Sequence, residues 1–363
     1  MRWHGLRFVL SLLSLCWANM AYAQGGIDIE LSYMGEGVRN ISGGIQKGSQ
    51  YLGTGDLALI LDTEKAGLWQ GGTLFIETLV NHGRDPSARF IGDVQTASNI
   101  ADGNRTRLQQ FWYEQTLGEH FSILLGLHDL NSEFYVSEYA SWFLNSSFGI
   151  GPDVSGNVPT SLFPEAGWAA RLDVHGENTY IKMATYDGDP ATRAVNVGKE
   201  GLMWIAETGF LQGASAYKLG VWHHTANKIA PDGKVYSSDS GVYGVIDQEV
   251  SEYIGLFLQL GFTQPKRNEI ANYIGAGMHL HGLIPSRHDD VFGIGVARAG
   301  FSSINQRVHG ITSAETTVEI TYDMAVTDYL NIHPAFQWIQ HPSGDPALKA
   351  AKVAMLRFEL HLL

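Results

Sequence analysis

The chain has 363 residues, 44% of them apolar and 17% charged, with a formal net charge of −13 and a mean hydropathy of −0.07. That balance excludes nucleic-acid binding, which needs a basic surface, and the chain lacks the basic amphipathic helix of a protein lying on an anionic membrane. Beyond residue 24 no apolar run approaches the roughly 18 residues of a helical span, so a membrane crossing here requires strands, whose alternating wet and lipid-facing residues give neutral hydropathy.

The first two dozen residues read as an export signal. Arg2 and Arg7 supply the positive start, Phe8 to Ala18 the apolar stretch, and Ala21-Tyr22-Ala23 a small-residue cleavage site before Gln24. Residues 1–23 are therefore expected to be a signal peptide and 24–363 a single mature domain. Cys16, the only cysteine, falls inside the signal and follows Leu15, where a lipoprotein signal wants a small residue. A mature chain without disulfides must be held by extensive backbone pairing or a large core. Without Arg2 and Arg7 the 24 basic residues become 22, against 37 acidic ones.

From Gln24 onward, period-two segments follow one another. Ile27, Ile29, Leu31 and Tyr33 alternate with Asp28, Glu30 and Ser32; Leu57, Leu59 and Leu61 share a face of 51–62; Leu74, Ile76 and Val80 oppose Thr73, Phe75 and Glu77. Mixed segments come next at 107–117 and 121–129. In 167–175, Trp168, Ala170, Leu172 and Val174 lie opposite Arg171, Asp173 and His175. The pattern recurs at 179–186, 202–210, 214–224, 241–249, 255–263, 273–281, 291–301, 316–326 and 329–341. In the last segment, 353–363, Leu356, Phe358, Leu360 and Leu362 oppose Arg357, Glu359 and His361. Such alternation signals strands with one apolar and one wet face. About sixteen are expected, a number within the range of porin-type barrels. Pro334 suggests a bulge or a barrel rim.

The connections alternate in length. Residues 118–120, 176–178, 211–213 and 327–328 are tight turns, whereas 36–50, 82–106, 130–166, 187–201, 225–240, 302–315 and 342–352 are long. Short turns at one end and long loops at the other mark an outer-membrane barrel, with the short turns periplasmic. A soluble propeller would repeat its blades, and no repeat is present. The third long segment, 130–166, carries aromatics, Asn, Gly and Pro with no strand or helix rhythm. A structureless stretch of that length argues against a compact soluble domain and fits a loop folded into a lumen.

Several stretches resemble the carbohydrate-selective porin (OprB-like) family of bacterial outer membranes. They are GLWQGGTLFIE at 67–77, RLQQFWYEQTL at 107–117, FLNSSFG at 143–149, Pro159-Thr160 before Phe163 and Gly167, YDGDP at 186–190 and HPAFQWIQHPSGDP at 333–346. They keep the family's order over most of the mature chain. The resemblance implies an all-β, sixteen-stranded transmembrane antiparallel barrel that passes sugars by facilitated diffusion, its third long loop folded inward to narrow the pore. The terminal Leu362-Leu363 departs from the aromatic ending of many outer-membrane barrels.

A sugar-selective constriction needs aromatic rings for the apolar face of a pyranose and polar groups for its hydroxyls, in contacts weak enough for release. The inward loop offers Glu133, Phe134, Tyr139, Trp142, Phe143, Asn145 and Phe148; the walls offer Glu77, Asp129, Arg171, Asp173 and His175. The competing reading is that the aromatics pack the loop against the wall and that Arg171 and Asp173 form a structural ion pair. A carboxylate costs more on the lipid side than glutamines near a rim, so Gln110, Trp112 and Glu114 are expected to face inward and Tyr113 to join an interfacial girdle. His279 and His281 share a strand face, but spacing identifies no third ligand, so no metal is expected. No cofactor is expected either. Neither a G-x-S-x-G elbow nor a phosphate loop appears, which speaks against an enzyme. The expected partners are small sugars, outer-membrane lipid and lipopolysaccharide, with monomer and homotrimer both open. The alternatives are a general, weakly cation-preferring porin and, further off, a barrel enzyme or structural surface protein.

Overall fold

The computed structural model describes residues 25–363; the expected signal peptide, residues 1–23, lies outside them. The described chain is built from β1 (Ile27–Gly44), β2 (Gly48–Asp62), β3 (Gly72–His82), β4 (Arg105–Leu117), β5 (Phe121–His128), β6 (Gly167–His175), β7 (Thr179–Asp187), β8 (Leu202–Gln212) and β9 (Ser215–His224). A small hairpin follows, β10 (Lys228–Ile229) with β11 (Val235–Tyr236). The series continues with β12 (Asp239–Ser251), β13 (Ile254–Thr263), β14 (Ile270–His281), β15 (Val291–Phe301), β16 (Ala314–Thr327), β17 (Leu330–Gln340) and β18 (Lys349–His361). All but the hairpin form one closed antiparallel barrel in sequence order, sealed where β18 pairs with β1 from Ser32↔His361 to Gly44↔Lys349. Closure leaves no strand edge, which a barrel in lipid requires. The sixteen strands match the sequence expectation.

The two faces separate as the alternation implies. In β18, Arg357 and Met355 are buried while Leu356 is exposed; in β6, Arg171 is buried while Trp168 and Val174 are exposed. No described helix is long and apolar enough to cross a membrane. Pro334 causes neither bulge nor rim. It sits within β17, opposite Leu356 of β18. On the β16 side the ladder passes from Thr321↔Ala335 to Met324↔Ile332 without changing register, so the missing N–H interrupts the bonding only.

One connection differs from the sequence reading. The stretch 36–50 is not a long loop: β1 and β2 extend through it as a hairpin closed by residues 45–47. Its alternation is masked because Glu36 and Asn40 point inward while Arg39 points outward, putting polar groups on both faces. The Asn40 amide stabilises the hairpin end by donating to the carbonyls of Gly43, Gln46 and Phe90. The segment 129–166 is therefore the third connection at its end of the barrel but the second long one. At the opposite end most turns have two or three residues, and the joins 63–71 and 282–290 are longer.

Two long connections lie inside the ring. Along 129–166, Glu207 of β8 accepts the Tyr135 N–H at 3.0 Å, and Lys218 of β9 donates to the Val136 carbonyl at 2.7 Å. Asp247 of β12 accepts the Glu138 N–H at 2.9 Å, Gln259 of β13 donates to the Phe148 carbonyl at 2.9 Å, and Tyr273 of β14 donates to the Ser147 carbonyl at 2.7 Å. Glu319 of β16 accepts the N–H groups of Leu144 and Asn145 at 2.7 and 3.0 Å. A segment bonded to inward side chains of six strands must run within them. Residues 83–104 do the same farther round. Glu315 of β16 accepts from Val94 and Gln95, Gln337 of β17 donates to the Ala97 carbonyl, and Arg357 donates to Asn99. The two segments join through Asn99 N–H to the Leu144 carbonyl, 2.8 Å, and Ser146 N–H to the Thr96 carbonyl, 3.0 Å.

The sequence reading placed one loop inside and missed 83–104. Phe90, Ile91, Ala97 and Ile100 pack with Val38, Leu52, Ile339 and Val353, an apolar face that no loop directed into water would need. The aromatic cluster of 129–166 includes Phe143 and Phe148 against Phe257 and Tyr273. Gly295 makes room for it, since a Cβ there would meet both Phe143 and Phe148 at 2.9 Å.

Asp153, fully buried in this segment, accepts the Tyr135 hydroxyl at 3.1 Å and leaves its other oxygen without a partner. Its carboxyl lies over Gly261, where any Cβ would collide with it. Burial pushes the Asp153 pKa from 3.8 up to about 7, against the opposing hydrogen bond from Tyr135. The packed loop thus favours the neutral acid. Its contribution to loop stability is full at low pH, declines as pH rises from about 3.8 through about 7, and is flat above. Replacing Asp153→Asn removes the ionisation, so limited proteolysis within 129–166 at pH 8 should be several-fold slower in the variant than in the unsubstituted barrel. The gap should narrow as pH falls towards 4; equal cleavage rates at pH 8 would refute this account.

Candidate solute passage

The strand β4 sets the polar wall of the lumen. Between Glu77↔Gln110 and Thr78↔Leu108 its register with β3 shifts by one residue, leaving Gln109 as a bulge. A bulge reverses which parity points inward. On one side of it Gln110, Trp112 and Glu114 face the lumen; on the other, Arg107 and Arg105 do, opposite Leu79 and Asn81 of β3. Strict alternation would have placed Arg107 with Phe111 and Tyr113 on the outside. Tyr113 does face outward, accepting the Trp69 indole N–H at 2.7 Å. Adjacent glutamines with charged residues on both sides are the signal that a bulge was needed.

The loop segments cover the inner face of β8 to β18 unevenly. Glu207, Asp247, Gln259, Glu315, Glu319 and Gln337 are at most 1% exposed. Many of the inward groups that keep contact with solvent lie on β1 to β7, namely Asp28, Glu30, Asp56, Glu77, Asp173 and His175, with Arg105, Arg107 and Glu165 at the long-loop end; Lys218, Glu249, His281 and Glu359 do so on other strands. A corridor therefore runs between the loop segments and the β1–β7 wall.

Its upper rim is a charged cluster absent from the sequence reading. Arg105 pairs with Asp102 and, at 2.9 Å, with Glu165; Arg107 meets Glu165 at 3.2 Å and donates to the Pro164 carbonyl at 2.5 Å. Deeper, Arg171 bridges Glu114 at 2.9 Å and Glu133 at 2.7 Å, and Lys182 of β7 lies 3.2 Å from Glu133. Burial works to raise the Glu133 pKa, but Lys182, Arg171 and His128 outweigh it and hold this carboxyl well below its usual value. Arg171 and Asp173 do not pair with each other. Asp173 instead approaches His175 at 3.4 Å and Lys182 at 4.0 Å.

Glu77 accepts from Gln110 at 2.8 Å, and the same glutamine accepts the Asp129 N–H at 3.0 Å. Burial pushes Asp129 up to about 6, against the N–H groups of Asn131, Phe163 and Ser132. Trp112 stacks on Phe75 with ring centroids 4.9 Å apart. Glu36 pairs with Arg357 at 2.7 Å on the other flank of the corridor.

Among the expected loop contacts, Phe134, Phe143, Asn145 and Phe148 are at most 1% exposed. They pack the segment against the wall and present no face to a solute. Trp142 is also buried, leaning on His279 and His281. Tyr139, half-buried, stacks on His279 at 4.3 Å near the short-turn end. No group of three or more metal-ligating side chains occurs among the described residues. A concavity of about 860 Å³ beside Trp204, Val242 and Phe262 is formed by outward-facing residues and is not part of the corridor.

The carbohydrate-selective porin, OprB family matches residues 46–362. Porin B of Pseudomonas aeruginosa is 24% identical over 400 residues, covering 92% of this chain and 87% of that protein. The fold matches the high-pH structure of Pseudomonas putida OprB with a TM-score of 0.84 at 21% identity, over 93% of this chain and 94% of the other. The outer-membrane channel DcaP of Acinetobacter baumannii superposes with a TM-score of 0.61 at 10% identity, over 94% and 99% of the two chains. With a closed barrel, an ion-paired polar corridor and a family match over most of its length, the chain belongs to the carbohydrate-selective porin, OprB family and is a sugar-selective porin of the outer membrane.

Proposed function

We propose that sugars descend the corridor between the two inward loops and the β1–β7 wall. The observation that carries this reading is the mutual pairing of the corridor's charges: Arg105 and Arg107 with Asp102 and Glu165, then Arg171 and Lys182 with Glu114 and Glu133. Paired charges cancel one another's long-range field; the Arg105, Arg107 and Glu165 level keeps donors and acceptors exposed, while the Arg171 level is mostly buried. A neutral polyol then exchanges hydrogen bonds with water for bonds to these groups at little net gain, which permits release. Gln110, Glu77 and Asp129 supply further polar contacts between the two charged levels, and Trp112 gives a partly apolar backing. Movement down a gradient needs no chemical step, so no catalytic residue or cofactor is assigned. Short turns face the periplasm, and the precursor is exported and cut after Ala23.

A weak preference for cations is the second reading, favoured by one feature. Asp28, Glu30, Asp56 and Glu77 line β1 to β3 without an ion-pair partner among the described residues. This wall draws small cations without excluding a neutral solute.

Three outcomes test these assignments. In planar bilayers sugar should reduce single-channel current, and Arg107→Ala should raise the half-blocking concentration by about tenfold, the loss of one charge-assisted hydrogen bond. Deleting 137–149 should enlarge conductance and abolish the block; sugar-insensitive current in the intact barrel would sink the first reading. For the second, the pair Asp28→Asn and Asp56→Asn should lower the cation-to-anion permeability ratio with block by sugar preserved, as reversal potentials across a salt gradient would measure. Mass spectrometry of the protein recovered from outer membranes should find Gln24 as its first residue, and any other start refutes the cleavage assignment.

A further inference from the structure

The outward faces of β14 to β18, β1 and β2 change from apolar to polar along one line. Going towards the long-loop end, β15 shows Phe292, Ile294 and Val296, then Arg298. On β16 Ile320 and Val318 give way to Thr316, and on β17 Phe336 and Trp338 give way to Gln340. On β18 Leu356 and Ala354 precede Lys352, and on β1 Gly35 and Gly37 precede Arg39. The register aligns these transitions. Arg298 lies opposite Thr316 and Thr316 opposite Gln340, while Lys352 lies opposite Trp338 and Arg39 opposite Ala354. The line is the upper edge of the lipid-facing band, with Trp338 just beneath it as an interfacial aromatic.

The cations on this line stand apart from the rest of the wall. The strand residues Arg105, Arg107, Arg171, Lys182, Lys218 and Arg357 all point inward and bond to the loops or to lumen carboxylates. Those that point outward, Arg39, Arg298 and Lys352, all fall on β15, β18 and β1. No ion pair holds any of the three among the described residues. On β6, β8, β9, β12 and β13 the outward strand residues towards the long-loop end include Trp168, Trp204, Val221, Val242 and Phe262 and no Lys or Arg. Ordinary interfacial anchoring would distribute cations around the rim, whereas here they share one sector. Strand spacing, with the two-residue offset of Lys352 from Gln340, sets Arg298 and Lys352 about 16 Å apart across three ladders, with Arg39 on the next strand. That separation spans one headgroup bearing more than one phosphate.

We infer that Arg39, Arg298 and Lys352 form a docking surface for a phosphorylated glycolipid of the outer leaflet, its acyl chains lying along the apolar band below. The occupant follows from complementarity: unpaired cations at the headgroup level attract phosphate, and the adjoining Val296, Val318 and Ala354 accept hydrocarbon. Thr316 and Gln340, between the cations, offer hydrogen bonds to sugar hydroxyls. The inference rests on the outer-membrane reading but not on how solutes pass the lumen.

Native mass spectrometry of the full barrel in detergent with a chelator tests it, the probes being lipid A and its dephosphorylated form. The unsubstituted barrel should retain lipid A at least about tenfold better than the dephosphorylated lipid, as three interfacial cations imply. The triple variant Arg39→Gln, Arg298→Gln, Lys352→Gln should lose that difference while keeping its single-channel conductance and its block by sugar, which certify the barrel as folded. Equal retention of the two lipids by the unsubstituted barrel overturns the inference, as does undiminished preference in the triple variant. Loss of sugar block in both proteins would instead count against the transport reading and leave the lipid result interpretable.

Discussion

The architecture turns on wall carboxylates that accept backbone N–H groups from the loops inside the barrel. Any peptide segment drawn into a lumen loses water and must find partners for its N–H and carbonyl groups. Glu207, Asp247, Glu315 and Glu319 meet that demand from β8, β12 and β16, each accepting at least one loop N–H. Each such bond contributes about 0.5–1.5 kcal/mol net, and leaving a buried loop N–H without one would cost about 1–3 kcal/mol. Without these acceptors the segments 83–104 and 129–166 would carry orphaned donors and leave the wall.

The position of the passage follows from that arrangement. Because the carboxyl acceptors lie on β8, β12 and β16 and most of the facing apolar residues on β8 to β18, with Val38, Leu52, Ala169 and Ala184 taking part from β1, β2, β6 and β7, the loops cover that side more fully and the corridor is left along β1 to β7. Charges in the two regions have different work. Those under the loops hold backbone; those in the corridor pair with one another, and the Arg105, Arg107 and Glu165 level stays within reach of water. The β4 bulge is what allows one strand to serve both Arg107 at the rim and Glu114 deeper in, since it restores the inward direction after a change of parity.

The outer wall is organised on a separate principle. Its apolar band is set by the lipid, and variation is confined to its edges, where aromatic residues and the outward cations of β15, β18 and β1 meet headgroups. The lumen and the lipid face can therefore be altered independently, because alternate residues of every strand serve one or the other.

Sequence alone determined the barrel class and the approximate strand number, while the inward course of 130–166 was implied by the family resemblance. Period-two alternation and turn length are local properties, and both are written in short stretches such as 167–175 and 353–363. The same local logic failed at 36–50, where polar residues on both faces concealed two strands, and at 107–117, where a bulge makes both parities inward. It failed again at 83–104, whose burial depends on Val353 and Ile339 far along the chain. Which loop aromatics touch solute was likewise undecidable from composition. Phe143 and Phe148 were as plausible as any, yet they pack on Phe257 of β13, and the wet groups are Arg105, Arg107 and Glu165. Exposure in a lumen is set by which loop covers which strand, a relation between residues more than a hundred positions apart, and only the closed tertiary structure decides it.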